Sequence, residues 1–211
     1  MDLGALSSSS QQRFEEKTAA REKALSASRR SIRASANAIR AIHRRDFEQA
    51  GQLMSESRAA LDSGKKAVAD QLDVYYAGFL QDAQKEYAEA HLTNAVVRGT
   101  ELPSPDDLEV ELAPYLNGMA ETIGEARRAI LDLLRRGEIA ESERILAAME
   151  DMFYVLVSMD FPDAITGNLR RSTDVARGIM ERTRGDLSIT LVQRNLQDAL
   201  ERHARDVLGG G

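Results

Sequence analysis

Three acidic residues, Asp82, Glu86 and Glu89, fall within or just before the stretch QKEYAEA at residues 84–90. At about 100° per residue they share a helical arc of roughly 60°. That arc borders a stripe of Leu72, Tyr76, Phe79, Ala83, Tyr87 and Ala90 instead of opposing it. Carboxylates crowded beside an apolar face repel one another unless a cation joins them. Glu121 and Glu125 in MAETIGEA form a second pair at helical spacing, opposite the stripe of Leu116, Met119, Ile123 and Ile130. Two acidic clusters on two helices are the donor set of a hard cation such as Mg²⁺, which takes oxygen ligands, keeps waters and leaves a side open for phosphate. The alternative is a pair of solvated faces. Gly118 and Gly124 each cost about 1 kcal/mol in a helix interior, which marks the same helix as a place of close packing.

A second charge pattern lies near the start. Between Glu22 and Asp46 there is no acid, whereas Lys23, Arg29, Arg30, Arg33, Arg40, Arg44 and Arg45 are all basic. Arg29, Arg33, Arg40 and Arg44 fall in one narrow arc beside an apolar stripe of Leu25, Ile32, Ala36 and Ile39. Arginines at repeated spacing suit a phosphate-backbone track, which needs no base-specific geometry. The alternative is a ridge that pairs with acids on a neighbouring helix.

Other chemistries find little support. The chain has no cysteine, which excludes disulfides, zinc–thiolate sites and a thiol nucleophile. His43, His91 and His203 lie far apart and read as structural or surface residues, so transition-metal chemistry is not expected. No P-loop, dinucleotide fingerprint or nucleophile-elbow motif is present. The methionines from Met119 to Met159 sit on apolar helix faces and read as core.

The elements that must position these residues are helices. A chain of 211 residues, 43% hydrophobic and 29% charged with four prolines, has the profile of one helical globular domain. Its net charge of −6 gives no whole-molecule attraction for nucleic acid, so such binding has to rest on the local ridge. No apolar run approaches about 20 residues, so no membrane partner is expected. MDLGALSSSSQQ lacks the features of a signal peptide and is expected to be a disordered arm over residues 1–12. The helical domain is expected over 13–208 and a flexible tail over 209–211, in a cytoplasmic protein.

The spacing predicts helices over about 12–45, 47–69 with an interruption near Ser63-Gly64, and 71–97 ending at Gly99. Ser104-Pro105-Asp106-Asp107 reads as the start of a short helix that Pro114 breaks, restarting the helical pattern. Helices over about 115–136 and 139–159 follow, then a corner at Phe161-Pro162 and one or two helices divided near Gly185-Asp186. The apolar residues Met152, Phe153, Val155, Leu156 and Met159 are expected to leave surface for partner subunits.

Four blocks, REKALSASRRSIRASANAIRAIHR, QKEYAEA, PYLNGMAETIGEARRAI and LVSMDFPDAITGNLRRSTDVARGIMERTRGDL, resemble the translin/Trax family in order and spacing. The likeness spans residues 14 to 190 and is greatest to the archaeal single-subunit members. It implies an all-α, seven-helix protomer that assembles into a closed homo-octameric shell. It also implies binding of single-stranded or structured RNA, with single-stranded DNA as an alternative, and Mg²⁺-dependent cleavage in Trax-type subunits.

In that family the Trax-type motif has two glutamates in an E-x-x-E helix and an aspartate after a tyrosine–leucine–x–glycine element. Glu86 and Glu89 match the pair, the third position falls on Glu121, a departure from aspartate, and Glu125 matches a further acid. Translin lacks the pair, so the likeness is to the catalytic branch. The basic and histidine-rich element of translin is replaced here by YYAGFLQDAQK, which leaves RNA contacts to the first helix. The resemblance thus implies an endoribonuclease in which Glu86, Glu89 and Glu121 act with Mg²⁺, Glu125 completes the metal set, and Arg29, Arg33, Arg40 and Arg44 hold RNA. A translin-like protein that binds single-stranded RNA or DNA without cutting it is the alternative.

Overall fold

Small residues decide how the first two helices meet. In the computed structural model, which describes residues 2–209, α1 runs Leu3–His43 and α2 runs Phe47–Ala67. The buried face of α1 is Ala24, Ala27, Ser28, Ser31, Ala34, Ser35 and Ala38, then Ile39, Ala41 and Ile42 at its end, with Leu25, Ile32 and Ala36 only half-buried at its margin. Short side chains let the axes approach closely, and the price in lost apolar burial is offset by hydrogen bonds. Ser57 of α2 shares one with Ser31 at 2.8 Å and one with Ser35 at 2.7 Å, all three being buried. Gly64 belongs to the same interface: a Cβ there would lie 3.0 Å from the Leu80 side chain, so this glycine admits a neighbour and α2 passes through it unbroken.

At the N-terminus, Asp2 accepts hydrogen bonds from the Gly4 and Ala5 amides at 2.9 and 3.2 Å and caps α1. Helix therefore covers residues 3–12, the segment expected as a disordered arm, with side chains almost wholly exposed. Gly210 and Gly211 of the expected tail lie outside the described residues.

The helix expected over 71–97 is two helices. A single turn, α3 (Leu72–Tyr75), ends before Gly78, whose φ of 103° only glycine adopts readily, and α4 follows as Phe79–Arg98. The break takes Leu72 and Tyr76 off the apolar stripe and into solvent, and Leu80, Ala83, Tyr87 and Ala90 carry the buried face. Gly99 closes α4 in the left-handed conformation at φ 68°.

Ser104 and Asp107 form a reciprocal set of hydrogen bonds at 2.7–3.1 Å, but turns follow and not a helix. Leu108 and Val110 are drawn into the core there and Glu109 takes a positive φ, which ends any helical path. α5 (Leu112–Arg135) includes Pro114 in its first turn, where no amide donor is needed, so the proline starts this helix without breaking it.

α6 (Ile139–Ser158), the single turn α7 (Asp163–Thr166) and α8 (Leu169–Gly209) complete the chain. Among the described residues there are six long helices and two single turns, with no strand, an all-α fold. α4, α5, α6 and α8 surround a core that includes Leu80, Leu92, Ile123, Ile130, Ile145, Met149, Met152 and Leu156. Met152 and Leu156, expected on a partner-facing surface, therefore point inward, Phe153 and Met159 are half-buried, Val155 is exposed as expected, and Tyr154, Val157, Phe161 and Ile165 are further exposed apolar residues of that region. α8 continues through Gly185 beyond the bundle, exposing Ile189, Val192, Leu196 and Leu200. Among the described residues no helix is long and apolar enough to cross a membrane.

Candidate functional site

A glycine sets the spacing of the carboxylates. Gly118 of α5 lies against the backbone of α4 at Lys85 and Glu89 and against the Ala88 methyl group, closer than any side chain would permit. Glu121 follows almost one turn later on α5, and Glu86 and Glu89 stand a turn apart on α4. One oxygen from each of Glu86, Glu89 and Glu121 lies within 4.8 Å of the others. Glu89 is buried at 8% exposure, Glu86 is half-buried and Glu121 is exposed.

A lysine already serves this group. Lys85 Nζ donates to Glu121 Oε1 at 2.7 Å and lies 3.4 Å from Glu86 Oε1. Burial works against its charge, but the hydrogen bond and charge of Glu121, then Glu86, win and raise its pKa. The carboxylates respond in the opposite sense to an ordinary salt bridge. Burial pushes Glu89 up to about 8, reinforced by the negative charges of Glu121, Glu86 and Glu125. Burial also raises Glu86, with Lys85 opposing. Three carboxylate oxygens from two helices, within 4.8 Å of one another, are the kind of donor set that a hard divalent ion takes.

The other expected acids are placed elsewhere. Asp82 is exposed and outside the group, although its charge contributes to raising Glu86. Glu125 bonds to His43 Nε2, which comes from the end of α1, and Arg128 lies 3.7 Å from the same oxygen. The hydrogen bond from His43 holds the Glu125 carboxyl below its ordinary value despite burial. Glu125 thus stands beside the three glutamates as a histidine partner, and His43 ties α1 to α5 one turn from Glu121.

The group opens on a cleft of ≈ 330 Å³ bounded by Glu89, Ala120, Glu121, Arg171, Val175 and Ile179. Arg171 comes from the first turn of α8, where Asn117 secures the chain by accepting from Ser172 Oγ and donating to the Thr166 carbonyl, both at 2.8 Å. Its guanidinium is exposed and has no ion-pair partner among the described residues. Arginines are frequent along α8, and nothing in NLRRST singles out Arg171 before the fold places it at the cleft.

The arginine ridge lies on the face of α1 away from the core. Arg29, Arg33, Arg40 and Arg44 are all exposed, and none forms an ion pair among the described residues. Arg40 bonds to Asn37, and Arg44 donates to Gln49 at 2.8 Å, both neutral partners. Arg30, Arg33 and Asn37 also border an open groove of ≈ 510 Å³ against Leu53 and Glu56 of α2. Internal pairing therefore does not account for the ridge.

No family model matches the chain. An uncharacterised protein of Methanocaldococcus jannaschii is 30% identical over 187 residues, covering 88% of this chain and 83% of that protein. A crystal structure of AfC3PO is similar at TM-score 0.82 and 34% identity, covering 92% of this chain and 99% of the other. A structure of an AfC3PO–duplex RNA complex agrees equally well, over 98% of its chain. Apo-NeC3PO, 20% identical with TM-score 0.76, shares the fold. By sequence blocks, identity and architecture together, this chain belongs to the translin/Trax family.

Proposed function

We propose that this protein is an endoribonuclease that binds single-stranded or structured RNA and hydrolyses its phosphodiester bonds with Mg²⁺. The observation that carries this reading is the meeting of three carboxylates from two helices, within 4.8 Å, at the edge of a cleft that also presents the unpaired Arg171. The duplex RNA held by AfC3PO, a relative at 34% identity, supports an RNA substrate.

Glu86, Glu89 and Glu121 would hold the ion. A bound divalent ion supplies positive charge to a scissile phosphate and acidifies water. Arg171 faces the same cleft and pairs with a phosphate oxygen, as a guanidinium does with two N–H groups at once. Arg29, Arg33, Arg40 and Arg44 hold the backbone farther along without reading its sequence. The Glu125–His43 bond fixes one wall, because it links the arginine-bearing helix to the glutamate-bearing one. The assembly that fits the family is a homo-octamer, for which light scattering should give about eight times 23.3 kDa.

One observation favours a second reading, binding of RNA or single-stranded DNA without cleavage. Lys85 already neutralises part of the carboxylate group. Labelled RNA incubated with Mg²⁺ or with EDTA separates the two. Cleavage that requires Mg²⁺ and disappears in folded, assembled Glu86→Ala and Glu89→Ala proteins supports the nuclease; equal cleavage by these variants and wild type overturns it.

A further inference from the structure

Lys85 is not one of the acids that define the site, yet it is the cation closest to them. Its ammonium reaches across from α4 to Glu121 on α5 while lying 3.4 Å from Glu86 on its own helix. Its backbone is fixed by the same close approach, since the Lys85 carbonyl is what a Cβ on Gly118 would strike. Only the four-carbon stem is left free, and the side chain is one-quarter exposed, as is that of Glu86.

From this geometry we propose that Lys85 is an exchangeable counterion: it occupies the carboxylate group when no metal is bound and leaves it when a divalent ion enters. The proposal rests on the metal reading given above and adds to it a residue that sets metal affinity. Two cations cannot share Glu121 and Glu86 without mutual repulsion in a partly water-excluded site, where charges are screened less than in bulk water. Lysine suits an exchange of this kind. Its ammonium is a compact point charge on a flexible stem, free of the planar two-pronged geometry that would lock an arginine onto a carboxylate. Because the side chain borders solvent, it can be rehydrated on release and no charge is stranded in the core.

Occupancy by Lys85 has a second effect. It holds the half-buried Glu86 and the exposed Glu121 near each other before the ion arrives, so the ligands are partly gathered. The two contributions oppose one another: the lysine lowers affinity by competing and raises it by gathering. Competition dominates, because the full charge of a divalent ion falls on the same oxygens, whereas Gly118 already fixes the spacing of the two helices without any help from the lysine.

The test is Mn²⁺ titrated into EDTA-stripped full-length protein, with free Mn²⁺ read from its electron paramagnetic resonance signal. Wild type is compared with Lys85→Met, Lys85→Gln and Lys85→Arg. The two neutral variants are expected to bind Mn²⁺ roughly tenfold tighter than wild type, and the arginine variant, whose guanidinium holds the carboxylates more firmly, more weakly than wild type. Methionine and glutamine differ in polarity, so a variant that loses its helical ellipticity leaves the other to be read. Unchanged or weaker binding by a folded neutral variant overturns the exchange while the metal reading stands. Absence of Mn²⁺ binding in all four proteins overturns both.

Discussion

Gly118 of α5 faces Lys85 of α4 with no room between them: a Cβ on the glycine would stand 2.7 Å from the lysine carbonyl oxygen and 3.1 Å from the Glu89 nitrogen. Both obstacles are backbone atoms, so neither can move without its helix. Alanine normally stabilises a helix interior by about 1 kcal/mol over glycine. Gly118→Ala should do the reverse, lowering unfolding free energy by about 1–3 kcal/mol in urea titrations. It should also weaken Mn²⁺ binding, because Glu121 is carried away with α5. Equal stability of variant and wild type would show that the contact does not constrain the pair.

Reversing two ridge residues together, Arg33→Glu with Arg40→Glu, should reduce RNA affinity at least tenfold at low salt, with a shallower dependence of log affinity on log salt by roughly one per lost phosphate contact. Both side chains are exposed, so helical content should not change. Fluorescence anisotropy with labelled RNA reads both quantities, and unchanged affinity would remove α1 from the binding surface.

The raised pKa of Glu89 makes stability depend on pH in a specified direction. Without metal the folded protein keeps this proton up to about 8, whereas the ordinary value is 4.5. The associated stability is therefore complete below 4.5 and is lost as pH rises toward 8. In EDTA, unfolding free energy should fall across that window by on the order of 1 kcal/mol per pH unit at the steepest. Glu89→Gln should flatten the profile. A slope that survives this substitution belongs to another group.

Arg171→Gln should lower cleavage by roughly 10²-fold, as loss of a positioned positive charge at a reacting phosphate does, with a much smaller effect on RNA affinity. Single-turnover rates and equilibrium binding measured on the same substrate give the comparison. Equal losses in both would make Arg171 one more backbone contact.

Much of the fold was legible from periodicity and caps. Gly99 ends α4, and the α5 stripe of Leu116, Met119, Ile123 and Ile130 is buried throughout. Glycine was harder to read, because the residue alone does not distinguish a turn from an approach. Gly78 breaks the chain through its positive φ, whereas Gly64 admits Leu80 and Gly185 has nothing within 4 Å, both inside continuous helices. Ser104 and Asp107 made their capping bonds, but burial of Leu108 and Val110 overrode the helix.

The candidate site divides in the same manner. Glu86 and Glu89 share a helix, so their spacing is written locally. Lys85 to Glu121, His43 to Glu125 and the cleft position of Arg171 each join different helices, and no local period encodes such pairings. Asp82 shares the helical arc of Glu86 and Glu89 but is exposed and stands outside their group, a difference that a helical wheel does not show.

The buried serines between α1 and α2 fix something that apolar packing alone would leave free. Between Ala24 and Ala38 the α1 face is small and nearly uniform, and it resists a slide of one turn, about 5.4 Å, less than the end where Ile39 clusters with Met54 and Ile42 with Ala50. Such a slip would leave Ser57 beside only one of Ser31 and Ser35 and strand the other hydroxyl in a dry interface. The three serines therefore act as an axial key. They set the position of the arginine ridge relative to α2, and, if the ridge holds a polyanion as proposed, the point along it that would come to rest over the glutamates.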